Sequence, residues 1–370
     1  MIPYFLLLFV PLLFQSMLQL GRVRLKIGER GRYVTWENIA LPTFFILYLL
    51  LLCLRSETLG RDLPNYKYIF GAWGRSSLQD IASQPQEILF HLYCWLVYNH
   101  ISKDFHLFLV ITALLTVIPI AYVYNRDKKH GFLKMVVFVN MSTFIMTFSG
   151  IRQSLAFAVG ILAYHALVNE KKRNFFLLAL TASLIHHTGF MTFCFYPLYW
   201  YRFQKKDLIW LVPVMAVVLL FNRQIFNLLS AVLGKYSEDY GAVAGSTGAF
   251  RSFLLFLLFT LLSYIVVDEK RADNETFFLR NILFFATTLQ SFASLNTLAM
   301  RMNYYFIILI PMALGKCIDC SRKKYEQIAK FAEIVICTYF MVVFIINTYH
   351  STVTGISALD TVPYVPFWKG

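Results

Sequence analysis

The sequence predicts an all-α polytopic integral membrane protein with about 10–12 transmembrane helices, some of them broken or re-entrant. Of the 370 residues, 58% are hydrophobic and only 15% are charged, whereas a soluble domain carries about 25% charged residues. Apolar runs long enough for a spanning helix recur from one end of the chain to the other. They are too long and too continuously apolar for barrel strands, so we expect helices to satisfy the backbone in lipid.

The predicted helices follow these apolar runs in order. Residues 1–20 lack the basic start and small-residue cleavage site of a secretory signal, so we expect a retained helix there. Residues 87–101 are apolar but short, which favours a re-entrant piece over a weak span. Residues 175–200 lie between two basic clusters and must turn back, with the turn at His186–Gly189. The full-length spans, including this first helix, are expected at about residues 2–20, 39–54, 107–124, 132–148, 152–168, 208–221, 253–267, 277–294, 302–315 and 331–347.

Basic loops predict the orientation of these helices. Lys and Arg concentrate in Gly21–Asn38, in residues 125–134 and at Lys171–Arg173, which the positive-inside rule places in the cytoplasm. Residues of about 55–86 and 222–251 then form external loops, and the second of them reads as a mobile loop. The basic loops account for the net charge of +14, so we do not expect the protein to bind nucleic acid. We expect residues 1–370 to form a single transmembrane domain.

Cysteine usage adds little. Of the six cysteines, Cys317 and Cys320 form a lone Cys-x-x-Cys in a basic loop. Without a second pair, a zinc or redox role is disfavoured.

Arginines on the predicted outer face are candidates for binding an anion. Arg152, Arg251 and Arg301 each stand at the outer start of an inbound helix. The helix dipole and free N–H groups at such a position already favour an anion, and guanidinium groups bind phosphate oxygens bidentately. Arg55 and Arg61 flank the start of the first external loop. The alternative is that each arginine snorkels to the lipid headgroups.

Two adjacent histidines, His186 and His187, lie at the predicted helix break and could deprotonate or orient a sugar hydroxyl. They do not resemble a metal site, because no carboxylate or third histidine lies nearby at ligand spacing. Asp62, next to Arg61, is a second candidate base, and a surface ion pair or turn explains it equally well. Tyr66 and Tyr304 could stack on sugar rings, but an interfacial aromatic belt accounts for them as well.

The chain resembles the EpsG family over most of its length. The most specific part is Ser149-Gly-Ile-Arg-Gln-Ser-Leu-Ala156, which contains Arg152 and Gln153. The run Gln84-Pro-Gln-Glu87 departs from the family pattern, where a Glu-Pro-Gly-Tyr-like run is expected, so the resemblance assigns no role to Glu87. The other matching stretches are Gly60-Arg-Asp62 with Asn65-Tyr66, His187-Thr188, Arg301-Met-Asn-Tyr-Tyr305 and Pro363-Tyr364.

This resemblance implies an O-antigen polymerase/ligase-like fold and the activity of a Wzy-type polymerase of exopolysaccharide, capsule or O-antigen. Such a glycosyltransferase joins oligosaccharide repeat units carried on undecaprenyl diphosphate at the outer face of the bacterial inner membrane. It needs no metal or other cofactor, so arginines must stabilise the leaving diphosphate.

On this basis the predicted catalytic residues are Arg152, His187, His186 and Asp62, and the predicted substrate-binding residues are Arg301, Arg251, Arg61, Gln153, Tyr66 and Tyr304. The expected partners are the lipid-linked oligosaccharides, the lipid bilayer, and a chain-length regulator and flippase of the same pathway, with no nucleic acid.

Three other functions remain open. A transporter or flippase for lipid-linked oligosaccharides would also need basic groups, but it should place them at the bilayer midplane. A membrane O-acyltransferase of polysaccharide would use a membrane histidine together with an acyl donor from inside. A scaffold without enzymatic activity is the fourth possibility.

Overall fold

The computed structural model describes residues 2–20, 25–27, 32–34, 37–127, 129–233, 247–293, 295 and 297–369. Of the predicted external loop at 222–251, residues 234–246 lie outside the described residues, whereas residues 222–233 and 247–251 are helical. The chain divides into two compact units. The first comprises Met1–Ala166, Arg173–Phe190 and Glu333–Gly370, and the second comprises Leu167–Lys172 and Met191–Ala332. The single transmembrane domain over residues 1–370 stays a prediction.

The first unit contains a short hairpin, in which β1 (Leu25–Ile27) pairs antiparallel with β2 (Arg32–Val34). Helices precede and follow this hairpin along the chain. Its helices are α1 (Ile2–Leu20), α2 (Glu37–Cys53), α3 (Leu63–Arg75), α4 (Leu78–Ser83), α5 (Ile88–His100), α6 (Phe105–Tyr124), α7 (Gly131–Asn140), α8 (Ser142–Ser149), α9 (Ile151–Val168), α10 (Lys172–Ile185) and most of α18 (Glu326–Thr354).

The second unit packs several helices around α15 (Asn274–Gln290), which contacts five other helices among the described residues. Asp273 caps the start of α15 by accepting a hydrogen bond from the Thr276 N–H at 2.8 Å. The other helices of this unit are α11 (Phe195–Trp200), α12 (Leu208–Leu220), α13 (Asn222–Leu233), α14 (Thr247–Val266), α16 (Thr297–Ile307) and α17 (Ile310–Asp319).

The polytopic all-helical class is confirmed. Among the described residues, four helices are long and apolar enough to span a membrane: Phe105–Tyr124, Ile151–Val168, Ala249–Val266 and Lys323–Thr354. The number rises to six if each of two bent pairs forms one span: Gly131–Asn140 with Ser142–Ser149, at 59°, and Lys205–Leu220 with Asn222–Leu228, at 77°. Fewer helices therefore have full spanning length than the expected 10–12, because several apolar runs are broken into shorter helices.

Helices α3 and α5 pack together and carry the predicted first external loop onto the start of α9. Helix α3 begins with Pro64 near its first position, where its missing N–H costs nothing. The buried side chains Leu63, Phe70, Phe90 and Ile151 join one apolar cluster, in which the Phe70 ring also stacks on Phe108. Helix α5 has 13 residues, or about 20 Å at 1.5 Å per residue, which is short of the ~30 Å hydrocarbon core.

The junction between α8 and α9 is fixed by a close backbone approach. Gly60 has a φ of +136°, and a Cβ added there would lie 2.2 Å from the carbonyl oxygen of Phe148. Only glycine fits a positive φ and this approach together. The neighbouring Arg55 is 1% exposed and donates to the Thr147 carbonyl at 2.8 Å. The loop before α3 is thereby held against the last turn of α8.

Candidate functional site

One carboxylate joins three of the side chains around the start of α9. The Nη1 of Arg152 donates to Glu87 Oε2, and the Nδ1 atoms of His186 and His187 both face Glu87 Oε1. The distance from His187 Nδ1 to that oxygen is 3.1 Å. The Glu87 side chain is only 9% exposed. We call Glu87, Arg152, His186 and His187 the Glu87 cluster, and all four residues belong to the first unit.

The backbone of Glu87 is unusual. It stands immediately before α5 in the left-handed conformation, with φ 55° and ψ 30°. A non-glycine residue in this region is uncommon, and such conformations persist where the surrounding structure holds them in place. The left-handed backbone directs the carboxylate to the space between α9 and the end of α10. Its three partners there hold this conformation in place.

Arg152 lies in the first turn of α9 and is partly buried, with 26% of its side chain exposed. Its Nε lies 3.4 Å from the Tyr66 hydroxyl, and its guanidinium carbon lies 5.4 Å from the centre of the Tyr66 ring and 5.6 Å from that of Phe90. Two aromatic faces and a carboxylate therefore orient the guanidinium group.

The two histidines occupy the break that the sequence predicted, because α10 ends at Ile185 and a 3-10 helix follows from His187 to Cys194. Gly189 makes this turn possible: its N–H donates to the His186 carbonyl at 2.7 Å, and an added Cβ would lie 2.2 Å from the Ala182 carbonyl oxygen. The His186 side chain is 4% exposed and that of His187 is 27% exposed. His187 is therefore the more accessible of the two.

Burial and hydrogen bonding act in opposite directions on the Glu87 carboxyl. Burial alone would raise its pKa, but the hydrogen bonds from His186 and His187 and the charge of Arg152 lower the pKa well below its usual range. For His186, burial lowers the pKa to about 4, although the contact with Glu87 partly opposes this shift. At neutral pH we therefore assign an ionised Glu87 and a neutral His186. Because an ionised carboxylate only accepts, each Nδ1 carries the proton that it shares with Glu87.

Asp62 and Gln153 are not members of the Glu87 cluster, but each forms hydrogen bonds with a residue near the cluster. The Ser149 hydroxyl donates to Asp62 Oδ2 at 2.9 Å, and the same hydroxyl oxygen accepts from the Asp62 N–H at 3.0 Å. Gln153 Nε2 lies 3.4 Å from Thr188 Oγ1. Asp62 is thus tied to the residue just before the α8–α9 junction, and Gln153 links α9 to the turn that carries the histidines.

Four predicted residues remain. Arg61 belongs to the first unit but does not join the Glu87 cluster, and the other three belong to the second unit. Arg61 is exposed and forms an ion pair with Asp360 at 3.1 Å, so it faces the C-terminal segment. Arg251 is exposed on α14, whereas Arg301 and the buried Tyr304 stand one turn apart on α16. These three lie in the second unit, and their convergence with Arg152 stays a prediction.

The cluster also changes the interpretation of metal binding. The sequence reasoning excluded a metal because it found no carboxylate near the histidines, and that reason was wrong, because Glu87 lies against both. The ligand atoms of Glu87, His186 and His187 lie within 4.8 Å of one another and could hold a metal ion, and nitrogen and oxygen donors suit Zn²⁺. Arg152 on the second carboxylate oxygen opposes this, since a cation bound there would face a fixed positive charge.

Glu87 is the residue that sequence reasoning missed. It is separated from Arg152 by 65 positions and from His186 by 99, so no local pattern joins them. The one local signal was the Pro85-Gln-Glu sequence before an apolar run, since a proline followed by a carboxylate at a helix start is typical of a structured turn.

Fold and site together define a multi-pass membrane protein with a buried Arg–Glu–His cluster at a helix break. The EpsG family model matches residues 38–364, a range that contains the whole cluster. The chain belongs to the EpsG family, which is associated with repeat-unit polymerisation of exopolysaccharide. It is accordingly an enzyme of polysaccharide biosynthesis in general terms. No curated protein and no solved structure matches the chain.

Proposed function

We propose that the protein is a Wzy-type polymerase that joins undecaprenyl-diphosphate-linked oligosaccharide repeat units at the outer face of the bacterial inner membrane. The observation that carries the proposal is the contact of Glu87 with Arg152, His186 and His187, in a chain of the EpsG family. The cluster combines a cation for an anionic leaving group with an imidazole for a hydroxyl proton.

The reaction forms one glycosidic bond and breaks one bond between a sugar and a phosphate. An acceptor sugar hydroxyl attacks the anomeric carbon of the lipid-linked chain, and the bond from that carbon to the diphosphate oxygen breaks with its electron pair. The hydroxyl proton goes to a base, and the diphosphate leaves with an added negative charge. A group that stabilises this growing charge lowers the barrier directly.

Arg152 is the proposed group for the leaving diphosphate. A guanidinium has five N–H donors in a planar fork that matches the oxygens of a phosphate group. The position of Arg152 in the first turn of α9 adds the favourable end of the helix dipole. Arg301 and Arg251 stay predicted substrate-binding residues of the second unit.

His187 is the proposed base, because its side chain is 27% exposed whereas that of His186 is 4% exposed. Glu87 holds the proton on Nδ1, which leaves Nε2 to accept the proton of the acceptor. The Nε2 atom of His187 is covered in this structure, so we propose that its ring turns toward the exposed edge when the acceptor binds. His186 and Asp62 then position the turn and the junction.

A transporter or flippase and an O-acyltransferase remain as alternatives without a specific observation in their favour. Deletion of the protein separates them. Loss of the polymerase should leave single lipid-linked repeat units on the outer leaflet, whereas loss of a flippase would strand them on the inner leaflet. Persistence of long polymer after deletion would overturn the proposed function.

Point variants then test the residues in membranes prepared from a deletion strain. We expect Arg152→Ala to abolish polymer while the protein stays membrane-inserted, and Arg152→Lys to keep little activity, because a lysine cannot form the planar fork. His187→Ala should lose more activity than His186→Asn. Long polymer in the Arg152→Ala strain would contradict the assignment.

A further inference from the structure

A cavity lies in the first unit, outside the Glu87 cluster. It is bordered by α1, by the bend between α7 and α8, by the end of α18 and by the segment that follows α18, and its volume is about 290 Å³. No residue of the Glu87 cluster lines it. Its volume is near the lower end of the range for small-molecule sites, roughly 300–1,000 Å³, so it suits one sugar-sized group.

The lining of this cavity combines apolar side chains with polar side chains that carry no fixed charge. It contains amides, hydroxyls and an imidazole, and no Asp, Glu, Lys or Arg. On α18 it includes Asn347, His350 and Ser351, which are spaced three and four positions apart and so share one helix face. Within the described part of the chain, none of these three side chains makes a hydrogen bond.

These three side chains lie near the end of the helix Lys323–Thr354, which is one of the candidate spans among the described residues. The span expected from the sequence ends at Asn347, so His350 and Ser351 lie beyond it. At such a helix end they are available to a polar ligand. Asn140, at the end of α7, also faces the cavity; its amide nitrogen donates to the carbonyls of Val136 and Phe340 at 2.8 and 3.1 Å. That nitrogen is thereby fixed, and the side-chain oxygen is left to accept.

The chemistry of the lining selects an uncharged sugar. A phosphate or other anionic headgroup would need a cation, and the cavity offers none. An acyl chain would give no hydrogen-bond partner to Asn347, His350 and Ser351, which is unfavourable. A pyranose ring presents hydroxyl groups at its edge and C–H groups on its faces. The first match Asn347, His350 and Ser351, and the second match the ring of Phe144 on α8 and the ring of Phe344 on α18.

We infer that this cavity is a binding site for an uncharged sugar residue of the growing polysaccharide, separate from the Glu87 cluster. The inference rests on the proposed polymerase function for the source of the sugar. A site that holds the product between transfers would keep the chain on the enzyme, so its loss should shorten the polymer without stopping synthesis.

Protection from chemical labelling tests binding directly. The variant Ser351→Cys is purified, reacted with a water-soluble maleimide, and compared with the unmodified protein to subtract labelling of the six native cysteines. The probe is the mixture of oligosaccharides released by partial hydrolysis of the polymer that the wild-type strain makes. The matched control is Val353→Cys, on the same helix but 66% exposed and outside the cavity.

We expect the oligosaccharides to slow labelling of Ser351→Cys and to leave Val353→Cys unaffected, and inorganic pyrophosphate to protect neither. Equal labelling with and without oligosaccharides would overturn the site. Protection by detergent or lipid in the absence of sugar would assign the cavity to lipid, and would overturn it too.

Polymer length is the second measurement. Asn347→Leu and His350→Leu should each weaken sugar binding about fivefold per hydrogen bond lost and shift the polymer to shorter chains, with no accumulation of single repeat units. Tyr349→Leu, an exposed position that does not line the cavity, should leave chain length unchanged. The cavity inference fails if the Leu variants leave polymer length unchanged and oligosaccharides leave labelling of Ser351→Cys unchanged, while the strain still needs this protein to make polymer. Failure of the proposed function would be polymer that survives deletion.

Discussion

The substitution Glu87→Gln tests whether one carboxylate organises the site. It keeps the size of the side chain but removes the negative charge that Arg152 and the two histidines share. Breaking a buried ion pair by removing one partner costs about 3–5 kcal/mol. Because the Arg152 side chain keeps 26% exposure, water screens part of this loss, and we expect about 3 kcal/mol in the free energy of unfolding.

The same change should also reduce activity strongly. The glutamine amide cannot accept from Arg152, His186 and His187 together, so the guanidinium and the base lose their common anchor. If about 3 kcal/mol of positioning is lost in the transition state, the rate falls by roughly 10²-fold. The assay is polymer synthesis in membranes at matched protein abundance, together with the thermal unfolding midpoint of the purified protein.

A matched control is available in the same unit. Glu57 forms an ion pair with Lys67 at 2.6 Å, with 29% and 61% of the two side chains exposed. Glu57→Gln makes the identical chemical change in a solvent-screened pair, which is worth about 0–1 kcal/mol. If Glu87→Gln and Glu57→Gln give the same polymer yield and the same unfolding midpoint, the organising role of Glu87 is refuted.

Four further changes test other parts of the molecule. Lowering the pH from 6.5 toward 4 should lower the unfolding midpoint: burial depresses the pKa of His186 to about 4, so the unfolded chain binds more protons in that window, and His186→Asn should lessen the decrease. Gly189→Ala should destabilise by about 1–3 kcal/mol, because its Cβ would lie 2.2 Å from the Ala182 carbonyl oxygen, whereas wild-type stability would show that the turn yields. Arg55→Met should change the free energy of unfolding by less than about 1 kcal/mol, because the desolvation of the buried cation and its hydrogen bond to Thr147 roughly offset each other. It should still lower the polymer yield, because the α8–α9 junction loses that bond. An unchanged polymer yield would refute this role of Arg55. Treatment with a metal chelator should leave polymerisation intact, and a loss reversed by Zn²⁺ would assign a metal to the Glu87 cluster instead.

Helix breaks show what sequence could and could not predict about the fold. The break before His187 was predicted from the polar run His186–Gly189 between apolar arms, and it is confirmed. The span expected at 302–315 is divided into α16 and α17, where Pro311 stands near the start of α17, a local signal that was available. The division of 132–148 into α7 and α8 has no proline or glycine at its break.

Long-range partners show where prediction of the site stopped. The residue types at the start of α9 and at the histidine turn could be chosen from local chemistry. Their common partner could not, because Glu87 reaches Arg152 only after α3 and α5 pack together in one apolar cluster. In the same way, Arg61 was grouped with the anion-binding arginines, whereas it pairs with Asp360, 299 positions away.

The charge balance of the Glu87 cluster suggests how binding and proton transfer are linked in the proposed reaction. With Glu87 ionised, the guanidinium of Arg152 compensates its charge directly, so the carboxylate is not a buried uncompensated ion. A diphosphate that binds Arg152 would draw the guanidinium away from Glu87. The carboxylate would then keep only the contacts of its Oε1 atom with the two histidines. Arrival of the leaving group would thus leave Glu87 to orient His187 at the moment when the acceptor must lose its proton.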